Sequence, residues 1–288
     1  MNLVAVVLNW NGGADTLAAL ASLDGIPAIC VDNGSTDGSD GLVEERFPGV
    51  ELVRTGANLG FAGGNNAGIA RALERGADWV LLLNNDAVAE PCLRDALARA
   101  AVQRPDAGLL ACKVMSEDGL AVQYAGASFN ARVGYSGRIE TGGPDELRDV
   151  GRADGAALAV SRAAAERAGL LDETLFLYVE DVEWSLRIRR AGFAVVLVPG
   201  ARVRHKGSAA TGGRASTTNL YYDTRNTIVV TERHAPLPPG LRALRRGVVV
   251  GAHLLQSGRH PSRLAAAHAV LAGWLDARAG RLGQRSSR

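Results

Sequence analysis

Leu81-Leu82-Leu83-Asn84-Asn85-Asp86 is the stretch on which the reading of the fold turns. Val80 to Leu83 form an apolar run too short for an ordinary helix and closed on its C-terminal side by amides, which predicts a buried strand. Asp86 then stands just beyond a strand end, and in open α/β sheets ligands collect in the crevice outside the carboxyl ends of the strands. A carboxylate flanked by amides offers oxygen ligands to a hard divalent cation such as Mg²⁺ or Mn²⁺, above all one that also carries phosphates. Asn-Asn-Asp is equally a good turn after a strand. The stretch by itself leaves both readings open.

Around it, strand and helix signals alternate: strands at 3–8, 28–31, 51–53 and 80–83, with helices at 14–23 and 66–75. This βαβα order predicts an α/β fold with a mostly parallel sheet and helices on both faces. Every strand exits into a polar, Gly-rich loop, so several loops meet at one sheet edge. Further along, the pattern predicts a helix over 90–103, a strand over 108–114, a Gly-rich hairpin or mobile loop over 119–152, a strand over 155–160, helices over 163–168 and 182–191, and short strands over 193–198 and 201–204. From Thr217 the chain reads as helical, is broken by Pro236, Pro238 and Pro239, and ends in two Arg-rich amphipathic segments. The organisation expected is a main domain over 1–232 and a basic helical extension over 233–288.

At 288 residues, 47% hydrophobic and 22% charged, the chain has the composition of a soluble globular protein with a substantial core. Cys30, Cys92 and Cys112 lack metal-ligand spacing and read as reduced cysteines of a cytosolic protein. Residues 1–8 read as a first strand, not a signal peptide. The net charge of +2 hides an asymmetry: ten Arg against Asp276 give residues 233–288 a charge of +9, leaving −7 on the remainder. A basic tail on an acidic body points to an anionic lipid surface or a second subunit. Nucleic acid is a poor partner, because aromatic platforms beside a basic groove are missing. No apolar run approaches the roughly 20 residues that span a bilayer, so membrane association would be peripheral.

Three further stretches carry chemistry. Val31-Asp32-Asn33-Gly34-Ser35-Thr36-Asp37 places acids in a sharply bending loop, where one carboxylate could accept the ring N–H of a pyrimidine base; an Asx turn with Ser39 as helix cap explains the same residues. Asn58-Leu59-Gly60-Phe61-Ala62-Gly63-Gly64 lacks the dinucleotide fingerprint, yet its glycines open a helix and let backbone N–H groups approach phosphate or ribose. Leu175 to Arg187 delivers Glu180-Asp181 to the mouth of a helix after an apolar segment, with Arg187 two turns on. Apolar walls and neighbouring acids raise a carboxylate pKa toward the range of a general base, although acids also favour helix starts for the dipole alone.

Taken in order, Val7-Leu8-Asn9-Trp10-Asn11-Gly12, Val31 to Ser39, Leu83-Asn84-Asn85-Asp86 and Tyr178-Val179-Glu180-Asp181 with Arg187 resemble the family 2 glycosyltransferases of GT-A fold. The match is closest to the bacterial rhamnosyltransferase-like branch, through the Asn58 to Phe61 loop, His205 after Pro199, and Tyr221-Tyr222-x-x-Arg225-Asn226; it covers about residues 3–230. The resemblance implies an inverting transferase that moves a sugar from a nucleotide-diphospho-sugar (a dTDP- or UDP-sugar, dTDP-rhamnose among them) to a hydroxyl of a glycan or lipid-linked acceptor in bacterial cell-surface polysaccharide or glycoconjugate synthesis. It implies Asp181, with Glu180, as catalytic base and Asp32 as base-binding acid. Asn9, Asn11, Asn33, Ser35, Asn58, Gly63, Asn84, Asn85, Asp86 and Arg225 would contact the nucleotide sugar. Asp154, Gly155 and Trp184 would line the acceptor site, and Asp86 with His205 would hold Mg²⁺ or Mn²⁺. Asn84 departs from the first acid of the Asp-x-Asp pattern, which rests metal binding mainly on Asp86. A sugar nucleotidyltransferase would need a basic triphosphate loop after the first strand, and Asn9 to Gly13 contains no Arg or Lys. A non-catalytic nucleotide-sugar-binding scaffold would bind nucleotide without transfer.

Overall fold

The computed structural model describes residues 1–138, 146–207 and 216–285. The first half runs β1 (Leu3–Asn9), α1 (Gly13–Ala21), β2 (Ala28–Asp32), α2 (Ser39–Arg46), β3 (Glu51–Arg54), α3 (Gly60–Glu74), β4 (Trp79–Asn84), β5 (Ala87–Ala89) and α4 (Leu93–Gln103). It continues with β6 (Ala107–Ser116), β7 (Val122–Tyr124), β8 (Ala127–Asn130), β9 (Tyr135–Arg138), β10 (Arg148–Asp149), β11 (Ala157–Ser161), α5 (Arg162–Ala168), α6 (Glu180–Arg190) and β12 (Ala194–His205). The helices α7 (Thr217–His234), α8 (Pro239–Ser257) and α9 (Arg263–Arg278) complete it.

β3, β2, β1 and β4 lie side by side and parallel, as the helical crossovers between them require. Their carboxyl ends, from Asn9 to Asn84, therefore open on one edge. The second half of the sheet is mixed. β11 runs antiparallel between β4 and β6, so its entry, Asp154 to Ala156, reaches the same edge, where Asn84 N donates to Ala156 O at 3.0 Å. β12 lies parallel to β6, and the two strands expected over 193–204 are one, bent by a register shift between Val198 and Arg202 where Pro199 removes a ladder donor. β5 folds back antiparallel on the end of β12, pairing Ala87 with His205 and so bringing Asp86 beside that histidine.

α3 begins at Gly60, six residues before the expected start. Gly68 shows why glycines suit this helix: a Cβ there would lie 2.3 Å from Val6 Cγ1, so the helix rides directly on β1 and β2. The Gly-rich stretch after β6 forms the predicted hairpin as β8 and β9; residues 139–145 of it lie outside the described residues.

The extension beyond residue 232 packs closely on the main domain. Leu220, Tyr221 and Tyr222 of α7 share a buried cluster with Ala266, Ala269 and Val270 of α9 and with Phe176. Tyr221 Oη donates to Asp276 at 2.6 Å, which ties α7 to the end of α9.

Candidate active site

The carboxyl edge of the sheet, the turn before α6 and the faces of α7 and α8 enclose one cleft of about 1580 Å³. Asn33, Asn58, Asn84, Asn85, Asp86 and His205 line it, as do Asp154, Gly155, Glu180 and Asp181. Ten of the residues expected at the site thus meet on a single cavity.

Asn9, Asn11, Asp32, Ser35 and Gly63 do not line it. Asn9, fully buried, donates through Nδ2 to Asp32 Oδ1 at 3.1 Å and Ser39 Oγ at 2.8 Å, and accepts from Thr16 Oγ1 at 2.7 Å. Ser35 Oγ accepts from Asn11 N at 3.0 Å, and Ser35 N donates to Asp32 Oδ2 at 3.3 Å. Asn9, Asn11 and Ser35 therefore hold Asp32, 5% exposed, in place. Ser39 does not cap α2; its N–H and hydroxyl both donate to Asp37 Oδ1. Asn33 joins the next loop, accepting Leu59 N at 3.0 Å and donating to Gly60 O at 3.1 Å. Gly63 turns toward Leu59, not the cleft.

Asp86 Oδ1 stands 3.1 Å from His205 Nε2, and both side chains are about one-tenth exposed. His205 Nδ1 lies 3.3 Å from Gln123 Oε1, which fixes the orientation of the ring. Although Nε2 is within ion-pair distance of Asp86, it makes no hydrogen bond of good geometry among the described residues. A carboxylate oxygen and an imidazole nitrogen at this separation are both donor types that a divalent cation accepts. Among the described residues no group of three or more His, Cys, Asp and Glu side chains could hold a metal. Lys206, unremarked in the sequence because no motif surrounds it, lines the cleft next to this pair while bonding Asp15 at 2.6 Å.

Asp181 sits in the first turn of α6, its Oδ2 accepting Gly155 N at 3.0 Å and its Oδ1 accepting Val182 N at 2.7 Å. Arg152 Nη1 is 3.6 Å from Asp181 Oδ2 and 3.9 Å from Asp154 Oδ2. Burial raises the Asp181 pKa, Arg152 pulls it back and Asp154 pushes it up. Glu180 is held well above the carboxylate range, first by burial and then by the Asp181 charge, and its buried Oε2 has no partner among the described residues. Arg152, an isolated Arg in a Gly-rich stretch, escaped sequence reasoning.

Three expected residues serve this segment structurally. Trp184 is fully buried, and Nε1 donates to Gly169 O at 2.8 Å. Arg187 pairs with Glu183 and donates to Leu170 O at 2.6 Å. Arg225, 1% exposed, donates to Leu175 O at 2.8 Å and Gly283 O at 2.6 Å while stacking over Tyr222. None of the three lines the cleft.

The segment they support is strained. Phe176 (φ 65, ψ −58) takes the rare γ-turn form, closed by Leu177 N donating to Leu175 O at 2.8 Å, and Tyr178 (φ 65) and Val179 (φ 71) are left-handed as well. A β-branched residue at positive φ is a true outlier, and each such residue costs about 1–3 kcal/mol. Asn226 holds the turn: its Nδ2 is shared among Leu175 O, Leu177 O and Tyr178 O at 2.9, 2.9 and 2.7 Å. Phe176 O accepts Phe61 N at 2.8 Å, and only glycine fits at residue 60, where a Cβ would meet that carbonyl at 2.3 Å. Asn226→Ala should lower kcat about tenfold or more by releasing the turn, with little change in donor KM, as measured by steady-state kinetics. An equal loss confined to donor KM would contradict this role.

Residues 14–157 match the family model Glycosyl transferase family 2. The chain is 32% identical to the N-acetylglucosaminyl-diphospho-decaprenol L-rhamnosyltransferase of Mycobacterium tuberculosis (strain ATCC 25618 / H37Rv), over 91% of this chain and 97% of that protein. By structure it is similar to GalNAc-T7 with UDP, GalNAc and Mn²⁺ (TM-score 0.63, 16% identity, 86% of this chain and 54% of that one). It spans about half the length of that structure. S. aureus TarS 1-349 in complex with UDP-GlcNAc matches at TM-score 0.61 and 14% identity, over 96% of this chain and 81% of the other. These structural likenesses place the fold in the GT-A class, and the sequence match shows that the chain belongs to glycosyl transferase family 2, on its rhamnosyltransferase-like side.

Proposed function

We propose that this protein is an inverting, metal-assisted transferase that moves a sugar, rhamnose being favoured by the mycobacterial relative, from a dTDP- or UDP-sugar to a hydroxyl of a lipid-linked glycan. The observation that carries this reading is Asp181, partly exposed at the cleft and anchored by Gly155 N, on the same cavity as the Asp86–His205 pair. As the acceptor oxygen bonds to the anomeric carbon, Asp181 takes the hydroxyl proton. The bond to the donor diphosphate breaks in line, and its electron pair leaves with the nucleoside diphosphate. Burial pushes Glu180 well above the carboxylate range, whereas Arg152 and two backbone N–H groups favour the charged form of Asp181, which makes Asp181 the base. A divalent cation, when bound, would neutralise diphosphate charge. Asp86 and His205 would hold it, with Lys206 beside them.

Asp181→Asn should lower kcat about 10²-fold or more while nucleotide binding persists. Because the base works ionised and its pKa is raised, kcat in the wild type should fall with decreasing pH through a limb above the usual carboxylate value of about 4. A flat profile down to that value would contradict the assignment. For the metal, Mn²⁺ should strengthen UDP or dTDP binding, read by thermal shift, and Asp86→Asn should remove that enhancement. An identical Mn²⁺ effect in the variant would exclude Asp86 as ligand.

Membrane contact through the extension belongs to the same proposal. Among the described residues no helix is long and apolar enough to cross a membrane. Leu241, Leu244, Val248 and Leu255 on α8 and Leu264, Leu271 and Leu275 on α9 are exposed, beside exposed Arg242, Arg263 and Arg278. This pattern suits peripheral docking to the anionic inner face that carries a lipid-linked acceptor. Other arginines expected there are engaged internally: Arg245 with Ala235 O, Arg246 with Glu232, Arg281 with Asp276. Leu244→Glu with Leu264→Glu should reduce co-sedimentation with phosphatidylglycerol vesicles. Unchanged sedimentation, or a vesicle-independent shift from dimer to monomer, would favour a dimer interface instead.

A further inference from the structure

The faces that α7 and α8 turn toward the cleft carry a polar row beside Tyr221, Tyr222, Val248, Val249 and Ala252. Asn219, Asp223 and Thr227 follow one another at four-residue spacing on α7, and His253 and Gln256 stand on α8; all five line the cavity. Asp223 is one-third exposed, with Oδ1 accepting Thr227 Oγ1 at 3.2 Å and Oδ2 3.3 Å from His253 Nε2. His253 Nδ1 is 2.9 Å from Val249 O. A carbonyl and a carboxylate only accept, so both contacts favour the protonated ring; burial lowers its pKa, and Asp223 outweighs that and raises it. Asn219 is 6% exposed, and its buried Oδ1 has no partner among the described residues. The Asp223 charge acts on both Arg152 and Glu180, which sets this wall close to the catalytic acids.

The wall's chemistry selects among ligands. A carboxylate and an unpaired amide oxygen repel phosphate, and the imidazolium charge is already matched by Asp223. Closely spaced acceptors and donors suit the adjacent hydroxyls of a neutral sugar ring, each of which both donates and accepts. We propose that the α7–α8 wall, centred on Asp223 and His253, is the subsite for the acceptor sugar. This rests on the transferase reading above and makes the C-terminal extension part of the substrate site.

The test is steady-state transfer by the full chain from dTDP-rhamnose to a short-chain N-acetylglucosaminyl-diphosphoprenol, in the wild type, Asp223→Asn and His253→Gln. Thermal shifts with dTDP serve as the folding control. Acceptor KM should rise about tenfold or more in both variants, with donor KM and dTDP stabilisation unchanged. An unchanged acceptor KM, or a rise in donor KM alone, would overturn the subsite. If the wild type transfers nothing, the substrates proposed above fail. Saturation transfer from the protein to methyl N-acetylglucosaminide then decides the subsite: a signal lost in Asp223→Asn supports it, and no signal in the wild type, or an equal signal in both, rejects it.

Discussion

The amide of Asn226, shared among three carbonyls, is the constraint on which the site depends. Phe176, Tyr178 and Val179 adopt backbone conformations that cost about 1–3 kcal/mol each, and they persist because the surroundings over-determine them. The turn aims the next two residues, Glu180 and Asp181, into the cleft at the mouth of α6. It also meets the loops at the sheet edge: Phe176 O binds the start of α3, Gly60 O binds Asn33, and Asn33 N donates to Asn9 O. The Glu180–Asp181 turn and the loops at the ends of β1, β2 and β3 thus share one hydrogen-bonded frame. Strain at the turn is offset by contacts spread over elements distant in sequence.

Within that frame, two adjacent carboxylates have different surroundings. Glu180 is buried beside an anion, with an oxygen that has no partner among the described residues, and its pKa is pushed well above the carboxylate range. Asp181 has a backbone N–H on each oxygen and Arg152 nearby, so its ionised form is the better tolerated of the two. The same reasoning separates Asp86, which faces His205, from Asp32, which is locked by Asn9 and Ser35.

Much of this was legible in the sequence, because period and loop chemistry are local. The parallel half of the sheet, the exits after Asn9, Asp32 and Asn84, and the placement of Glu180-Asp181 at a helix mouth follow from apolar runs that stop at polar turns. Partners created by topology were not legible. Arg152 and Lys206 carry no motif, and they reach the cleft because β11 enters antiparallel beside β4 and β12 ends beside β5. Arg225 and Asn226 stood out in the sequence, yet their segment reads as a ligand motif until the carbonyls of Leu175, Leu177 and Tyr178 appear in front of them. Likewise, Arg245, Arg246 and Arg281 look like a lipid-facing charge set until Ala235 O, Glu232 and Asp276 take them up.

The central claim is a single in-line displacement at the anomeric carbon, driven by Asp181. Its most direct measurement is the anomeric configuration of the transferred sugar, read by NMR from the product of a nucleotide sugar of known configuration. One displacement requires the product linkage to be inverted relative to the donor. A product with retained configuration would contradict the account.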